Sequence, residues 1–161
     1  MIRIDIPATS ANLGSGFDSL GIALTMCNRV WMEEADELKI TTTDKIKVPT
    51  DETNLIYWAA RHLYQICGKT LPGLHIIQEN NIPMARGLGS SSACIVAGIL
   101  GATRMLGSPM SQSDLINLAA QIEGHPDNTS PAISGGLVAS AMEGKRVYSV
   151  SVPVSGKISF A

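Results

Sequence analysis

The sequence predicts a single domain in which β-strands and α-helices are combined. Apolar and polar residues alternate with period two in the stretch Ile2-Arg3-Ile4-Asp5-Ile6, as they do in a half-buried strand. Ile56, Ala60, Leu63 and Cys67 instead share one stripe of a helix. The chain has 161 residues, which is long enough for one hydrophobic core and short for two. Its residues are 45% apolar and 16% charged, a composition that argues against disorder.

The first third of the chain is predicted to form strands around one long loop. Pro7 is expected to end the first strand, and residues 22–32 and 38–43 are predicted strands separated by an acidic turn. Between them, residues 7–21 are too irregular for a helix or strand and carry Asn12 and Asp18. Long ordered loops often display binding groups, but Asn and Asp also cap turns, and composition alone slightly favours the simple turn.

Three helices are predicted in the middle of the chain, with a hairpin after them. Residues 49–54 are typical of the start of the first helix and Gly68 of its end. Ser111 and Asp114 have capping-box spacing at the start of the third helix, with Asp where Glu is usual. The other expected elements are a helix over 93–106, an end of the third helix at Glu123-Gly124, and strands over 74–78, 137–142, 146–152 and, as a beginning only, 157–161.

The stretch Pro83-Met-Ala-Arg-Gly-Leu-Gly-Ser-Ser-Ser-Ala93 leads directly into the second predicted helix. Glycines let a backbone approach a ligand closely, and the first turn of a helix presents unpaired N–H groups with a partial positive charge. These features predict an anion site, with phosphate as the expected anion. A plain turn with a serine N-cap explains the same residues, and the stretch is neither a Walker A loop nor Gly-x-Gly-x-x-Gly.

Glu123-Gly-His-Pro-Asp-Asn128 is the second stretch in which chemistry is predicted. Four groups able to bind a metal, move a proton or form hydrogen bonds lie within six residues after a helix. A polar helix end, with Gly and Pro as stop signals and Asp127 and Asn128 in a turn, explains the stretch equally simply and is preferred when it is considered alone.

Charge and cysteine usage argue against several classes of protein. The net charge is −2 with no basic cluster, which does not fit a nucleic-acid-binding protein. Cys27, Cys67 and Cys94 are far apart and lack zinc-site spacing, so we expect reduced core residues. No signal-peptide core or run of 18 apolar residues is present, and a cytoplasmic protein without a membrane partner is expected.

Residues 7–18, 83–93 and 123–128 together resemble the homoserine kinase family of the galactokinase, homoserine kinase, mevalonate kinase and phosphomevalonate kinase (GHMP) superfamily. The middle segment is typical of the superfamily, the other two narrow the resemblance to the family, and the likeness covers essentially the whole chain. It implies an α+β fold, in which residues 1–161 form the GHMP kinase N-terminal domain, similar to ribosomal protein S5 domain 2 and containing a left-handed βαβ unit. It also implies a C-terminal ferredoxin-like domain that is missing here, so the chain is expected to be truncated before it.

The same resemblance implies ATP-dependent phosphorylation of the L-homoserine hydroxyl, in threonine biosynthesis, with Mg²⁺. The residues implied to bind ATP are Asn54, Leu55, Pro83, Met84, Ala85, Arg86, Gly87, Leu88, Gly89, Ser90, Ser91 and Ser92. Those implied to hold Mg²⁺ are Ser91 and Glu123, and those implied to bind homoserine are Asn12, Asp18, His125, Asp127 and Asn128. The implied catalytic residues are Glu123, Asp127 and Asn128.

The identity of a catalytic base stays open. Related sugar and mevalonate kinases place an aspartate before their Gly-Gly pair, and aligning on Gly135-Gly136 puts Asn128 at that position. Asparagine cannot take a proton. We therefore expect the γ-phosphate or solvent to receive the hydroxyl proton, with Asp127 as the weaker alternative base.

Two other functions remain as alternatives. One is another GHMP small-molecule kinase of the mevalonate type, and the other is a non-catalytic, S5-like domain that binds a nucleotide or RNA. The chain alone is expected to have little kinase activity, because the resemblance places substrate-carboxylate arginines in the missing domain. The sequence leaves the oligomeric state open, with a homodimer as one option.

Overall fold

The computed structural model describes residues 1–107 and 110–154, which form one mixed sheet covered by helices. In chain order its elements are β1 (Ile2–Ala11), β2 (Leu20–Glu34), β3 (Lys39–Thr42), α1 (Leu55–Ile66), β4 (Leu74–Glu79), α2 (Ser90–Met105), α3 (Gln112–Glu123), α4 (Thr129–Ser134), β5 (Leu137–Glu143) and β6 (Arg146–Val152). The strand expected at 157–161 lies outside the described residues.

The long strand β2 organises the sheet. Antiparallel β1 follows one edge of β2, from Ile2 opposite Met32 to Ala11 opposite Gly21. The other edge is shared, because β4 pairs with the C-terminal half of β2 and β5 with its first residues. The strand order is therefore β3-β4-β2-β5-β6, with β1 beside β2.

Strand β1 continues through Pro7, so the prediction that this proline ends the strand was wrong. Pro7 lies opposite Cys27, and the register shifts between Pro7 and Thr9. Such an irregularity tolerates a residue without an N–H group, which is why proline can sit at a bulge. The loop predicted over 7–21 is correspondingly shorter, and it occupies only residues 12–19.

Strands β3 and β4 are parallel, and helix α1 connects them. A parallel pair requires a crossover of this kind, and the resulting βαβ unit belongs to the α+β fold that the resemblance implied. Helix α1 begins where residues 49–54 predicted it. The Asn54 side chain accepts hydrogen bonds from the main-chain N–H groups of Ile56 and Tyr57 and so caps the helix.

Helix α2 lies at the centre of the core. It packs closely on α1, because Gly98 lies against the carbonyl oxygen of Ile56 and the side chain of Ala59. Further along, Gly101 lies against Met32 of the sheet. The small-residue helix predicted from the sequence is confirmed, and α2 is buried on most of its circumference, not on one stripe alone.

The structure differs from the sequence analysis at two further places, the cysteines expected in the core and a helix that was not predicted. Cys67 is exposed, because it follows the last residue of α1 at the protein surface, while Cys27 and Cys94 are partly buried and all three cysteines are free. Helix α4 was not predicted, because it is only six residues long and includes Pro131. Proline is tolerated there because it lies in the first turn of the helix. Among the helices of the described ranges, none has the length and apolar character needed to cross a bilayer.

Replacing Gly98 by Ala should lower the free energy of unfolding by about 1–3 kcal/mol. The new methyl group would overlap the Ile56 carbonyl oxygen, and this overpacking outweighs the roughly 1 kcal/mol by which Ala favours a helix. Urea denaturation followed by circular dichroism measures the change. Gln65→Ala on the exposed side of α1 is the control, with an expected change within about 0.5 kcal/mol. A Gly98→Ala variant as stable as the parent would contradict the close packing.

Candidate active site

The N-terminus of α2 is open to a ligand. Asn54 caps α1 and Ser111 caps α3 through their side chains, but α2 begins after Gly89 with no side-chain hydrogen bond at its cap. Gly89 has φ 65°, a left-handed conformation that glycine adopts without strain. The interpretation as a serine-capped turn is therefore wrong. The first-turn N–H groups of residues 90–92 are among those that a helix leaves without an internal partner, and the helix dipole there favours an anion.

The loop that leads into α2 is exposed and tightly bent. Pro83 to Gly87 lie at the surface, and Ala85 (φ 56°) and Gly87 (φ 70°) both have left-handed backbone conformations. A positive φ is uncommon for alanine and is often found where a backbone is shaped for a ligand. Arg86 projects from this exposed bend as the loop's one cationic residue.

Thr9 joins the loop to a second group of residues. Its main-chain N–H donates to the carbonyl oxygen of Leu88 at 3.2 Å, and its hydroxyl donates to Asn128 Oδ1 at 2.8 Å. Thr9 is completely buried at the end of β1. A Cβ atom on Gly89 would overlap the Thr9 hydroxyl and lie 3.1 Å from Asn128 Oδ1, so only glycine fits between them.

The second group surrounds Asp127, whose side chain is only 1% exposed. One carboxylate oxygen lies 2.5 Å from His125 Nδ1 and accepts the main-chain N–H of Asn128 at 3.0 Å, and the other accepts from Asn12 Nδ2 at 3.2 Å. A buried carboxylate is tolerated when it is hydrogen-bonded in this way. Gly21 permits the arrangement, since a side chain there would overlap the Asp127 carbonyl oxygen.

The loop over residues 12–19 presents polar groups beside Asp127. Asn12 (φ 58°) and Asp18 (φ 51°) both adopt left-handed conformations, and the main-chain N–H of Asp18 donates to Asn12 Oδ1 at 2.9 Å. The Asn12 amide is therefore held from both ends. The Asp18 carboxylate is exposed and remains available to a cation.

Glu123, the last residue of α3, reaches the start of α2. Ser92 donates its hydroxyl hydrogen bond to Glu123 Oε1 at 2.9 Å, and Ser92 is buried. Burial raises the pKa of the neighbouring Cys94 thiol to about 11, and the Glu123 carboxylate adds to the rise. Ser91, in contrast, is exposed beside the open helix end.

A mostly apolar cavity of about 270 Å³ lies beside the same helix end. Its lining residues are Val48, Pro49, Thr53, Asn54, Leu55, Gln78, Asn80, Met84, Ala85, Ser90, Ser91 and Cys94. Apolar walls with a few polar groups are typical of small-molecule sites. A larger open depression of about 520 Å³, between α3 and β6, contains none of the predicted site residues.

A protein-family match decides what kind of domain this is. Residues 54–136 match the family described as the N-terminal domain of GHMP kinases. The chain belongs to the GHMP kinase family. Homoserine kinase from Clostridium botulinum (strain 657 / Type Ba4) is 44% identical over 162 residues, which cover 99% of this chain and 54% of that protein.

Solved structures agree with this assignment of the GHMP kinase domain. A structure from Listeria monocytogenes is 42% identical, with a TM-score of 0.84, and the match covers 93% of this chain and 53% of that one. Homoserine kinase from Cytophaga hutchinsonii is 30% identical, with a TM-score of 0.81 and coverage of 96% and 52%. The chain thus spans about half the length of the relatives that it matches.

The predicted site residues of this GHMP kinase domain fall into two groups. One group lies around the start of α2 and includes the loop from Pro83, the cavity residues Asn54 and Leu55, and Glu123. The other group gathers Asn12, His125 and Asn128 around Asp127, with Asp18 at its edge.

Sequence reasoning missed Thr9, Gln78 and Cys94 as parts of the site. Thr9 lies inside the first of the three segments that carried the resemblance, which was its only signal. Gln78 and Cys94 looked like ordinary strand and helix residues, and only the folded chain brings them to the cavity.

Replacing Gly89 by Ala should destabilise the domain far more than the same change at Gly87. Both residues have positive φ, so each change costs about 1 kcal/mol in backbone strain. Only Gly89 adds a steric overlap, with Thr9, whereas nothing lies within 4 Å of a Cβ at Gly87. We expect the free energy of unfolding to fall further, by about 1–3 kcal/mol, in the Gly89 variant, as measured by urea denaturation. Equal losses in the two variants would contradict the close contact.

Proposed function

We propose that this GHMP kinase domain supplies the nucleotide site and part of the substrate site of a homoserine kinase, which phosphorylates the hydroxyl group of L-homoserine with ATP. The observation that carries the proposal is the 44% identity to homoserine kinase over 99% of the chain. The open helix end beside an apolar cavity supports it independently, because that combination suits a phosphate chain attached to a nucleoside.

In the proposed complex, the triphosphate lies against the first turn of α2 and the loop from Pro83 to Ser92. Main-chain N–H groups and the helix dipole bind the phosphates, and the Arg86 guanidinium adds a positive charge from the exposed bend. The nucleoside occupies the cavity lined by Asn54 and Leu55. Ser90 and Ser91 line the cavity and also begin α2, which supports neighbouring positions for the nucleoside and the phosphates.

Homoserine is a small zwitterion, and the group around Asp127 offers matching polar contacts. The exposed Asp18 carboxylate suits the substrate ammonium, and Asn12 and His125 supply hydrogen bonds. Asn128 links this group to Thr9, because its Oδ1 accepts from the Thr9 hydroxyl and its main-chain N–H donates to Asp127.

The donor set near α2 fits Mg²⁺ bound together with a nucleotide. Mg²⁺ usually takes one or two carboxylates and completes its shell with phosphate oxygens and water. Glu123 supplies the carboxylate, fixed by its hydrogen bond from Ser92, and exposed Ser91 supplies a hydroxyl. When bound there, Mg²⁺ would neutralise negative charge on the phosphate oxygens.

In the proposed reaction, the homoserine hydroxyl oxygen forms a bond to the γ-phosphorus while the bond to the β–γ bridging oxygen breaks and ADP leaves. Such transfers depend on position and charge neutralisation more than on covalent help from the protein. Asp127 is an unfavourable base, because it is buried and its oxygens already accept from His125, Asn128 and Asn12. The hydroxyl proton would pass to the transferred phosphate or to solvent.

A substrate panel tests the function. The polypeptide as its gene encodes it is assayed for ADP release with L-homoserine, 4-hydroxybutyrate and mevalonate. We expect L-homoserine to have a kcat/KM at least about 100-fold above the others, because 4-hydroxybutyrate lacks the ammonium that Asp18 would bind. Mevalonate preferred over homoserine would reject the proposal.

Replacing Glu123 by Gln tests the metal site in the same polypeptide. We expect kcat to fall by about 100-fold or more and the Mg²⁺ concentration for half-maximal activity to rise, because the amide binds Mg²⁺ poorly. Glu143→Gln, at the exposed last residue of β5, is the matched control and should change neither value. Near-normal turnover by the Glu123 variant would remove this carboxylate from the metal site.

A further inference from the structure

We propose that Gln78 recognises the base of the nucleotide, by donating a hydrogen bond from its side-chain amide to a ring-nitrogen acceptor. This inference rests on the proposed function, since it takes the cavity beside α2 as the nucleoside site. Gln78 lies on β4 and lines that cavity, although only 2% of its surface is exposed.

The orientation of the Gln78 amide is fixed through Asn54. Asn54 Oδ1 accepts hydrogen bonds from the main-chain N–H groups of Ile56 at 3.0 Å and Tyr57 at 3.4 Å. Main-chain N–H groups can only donate, so the oxygen of the Asn54 amide must face them. Asn54 Nδ2 is then the donor to the Pro49 carbonyl oxygen and to Gln78 Oε1, both at 2.9 Å.

These hydrogen bonds leave the Gln78 NH₂ group for a ligand. Its oxygen is occupied by Asn54, and within residues 1–107 and 110–154 no acceptor is found for Gln78 Nε2. In that described part of the chain, the fully enclosed side-chain atoms without a partner are the hydroxyl oxygens of Ser130 and Ser140, and Gln78 Nε2 is not one of them. The amide nitrogen therefore retains access to open space, and the open space that Gln78 borders is the cavity.

The other amides of the cavity already form hydrogen bonds within the protein, and of these only Asn54 is buried. All hydrogen-bonding positions of Asn54 are filled, so this residue shapes the cavity without offering the base a free group. The Asn80 main-chain N–H and Nδ2 both donate to Asp44. The Thr53 hydroxyl donates to Asp51. Gln78 is thus the free, buried donor among apolar walls, and purine ring nitrogens are acceptors that match it.

A buried donor of this kind confers specificity because a ligand that cannot accept its hydrogen bond leaves it unpaired. The inference therefore concerns the base alone. The open end of α2 should bind a bare triphosphate with or without Gln78, and the difference between ATP and tripolyphosphate isolates the contribution of the base.

The test uses the polypeptide as its gene encodes it, in isothermal titration calorimetry with ATP and with inorganic tripolyphosphate. Gln78→Glu keeps an oxygen for Asn54 but replaces the NH₂ donor by an acceptor, and Gln78→Met removes both without adding charge. We expect each variant to bind ATP about tenfold more weakly. Tripolyphosphate affinity should stay within about twofold in Gln78→Met. Gln65→Glu, the same substitution at an exposed position of α1, is the matched control and should leave both affinities unchanged.

A measurement on the unaltered chain keeps the inference testable if the buried substitutions unfold the domain. The 1-deaza, 3-deaza and 7-deaza analogues of ATP each replace one ring nitrogen by C–H. One of them should bind about tenfold more weakly than ATP, because it lacks the acceptor. Equal binding of ATP and all three analogues would overturn the role of Gln78.

The remaining outcomes separate this inference from the proposed function. Tripolyphosphate bound as tightly as ATP would overturn base recognition and leave the phosphate site standing. Binding of neither ligand by the unaltered chain would overturn both the inference and the nucleotide site on which it rests.

Discussion

The contact between strand β1 and the loop before α2 sets the spacing of the whole site. Thr9 holds the loop by its main chain, through Leu88, and holds Asn128 by its side chain. Because Thr9 is fully buried in a paired strand, the sheet fixes its position. Gly89 then lies so close that no side chain could be added without moving one partner. A displacement of about 1 Å between reacting groups is costly in phosphoryl transfer, so this tight packing would connect the fold to the proposed reaction.

The buried carboxylate of Asp127 imposes the second constraint. A carboxylate whose side chain is only 1% exposed needs hydrogen-bond donors around it. Those donors come from separate parts of the chain, including Asn12 and His125. Asn12 meets this requirement in a left-handed conformation, so the carboxylate and the strained loop depend on each other. The arrangement of the residues around Asp127 therefore follows from the need to satisfy one buried carboxylate with hydrogen bonds.

Local signals in the sequence predicted most elements, because capping and periodicity act over a few residues. The strand over 146–152 and the helix start at Asn54 are confirmed. Pro7 and α4 could not be predicted in the same way. Whether a proline interrupts a strand depends on the bulge and on its partner Cys27, which lies 20 positions away along the chain, and α4 depends on packing against α3 and the sheet.

Identities of site residues followed from the resemblance, but the role of each polar atom depends on hydrogen bonds between distant residues. Thr9 and Asn128 are separated by 119 positions. An amide side chain presents either an oxygen or an NH₂ group at similar cost, and only a neighbour restricted to donating or accepting decides between them. At Asn54, main-chain N–H groups require the amide oxygen to face them. The Asn54 NH₂ group then donates to Gln78, so the Gln78 oxygen faces Asn54. At Asn128, the Asp127 carboxylate can only accept, so the Asn128 NH₂ group is the one that faces it, at 3.5 Å. The fold therefore specifies which amide atom of each residue faces which neighbour, and no local pattern in the sequence contains that information.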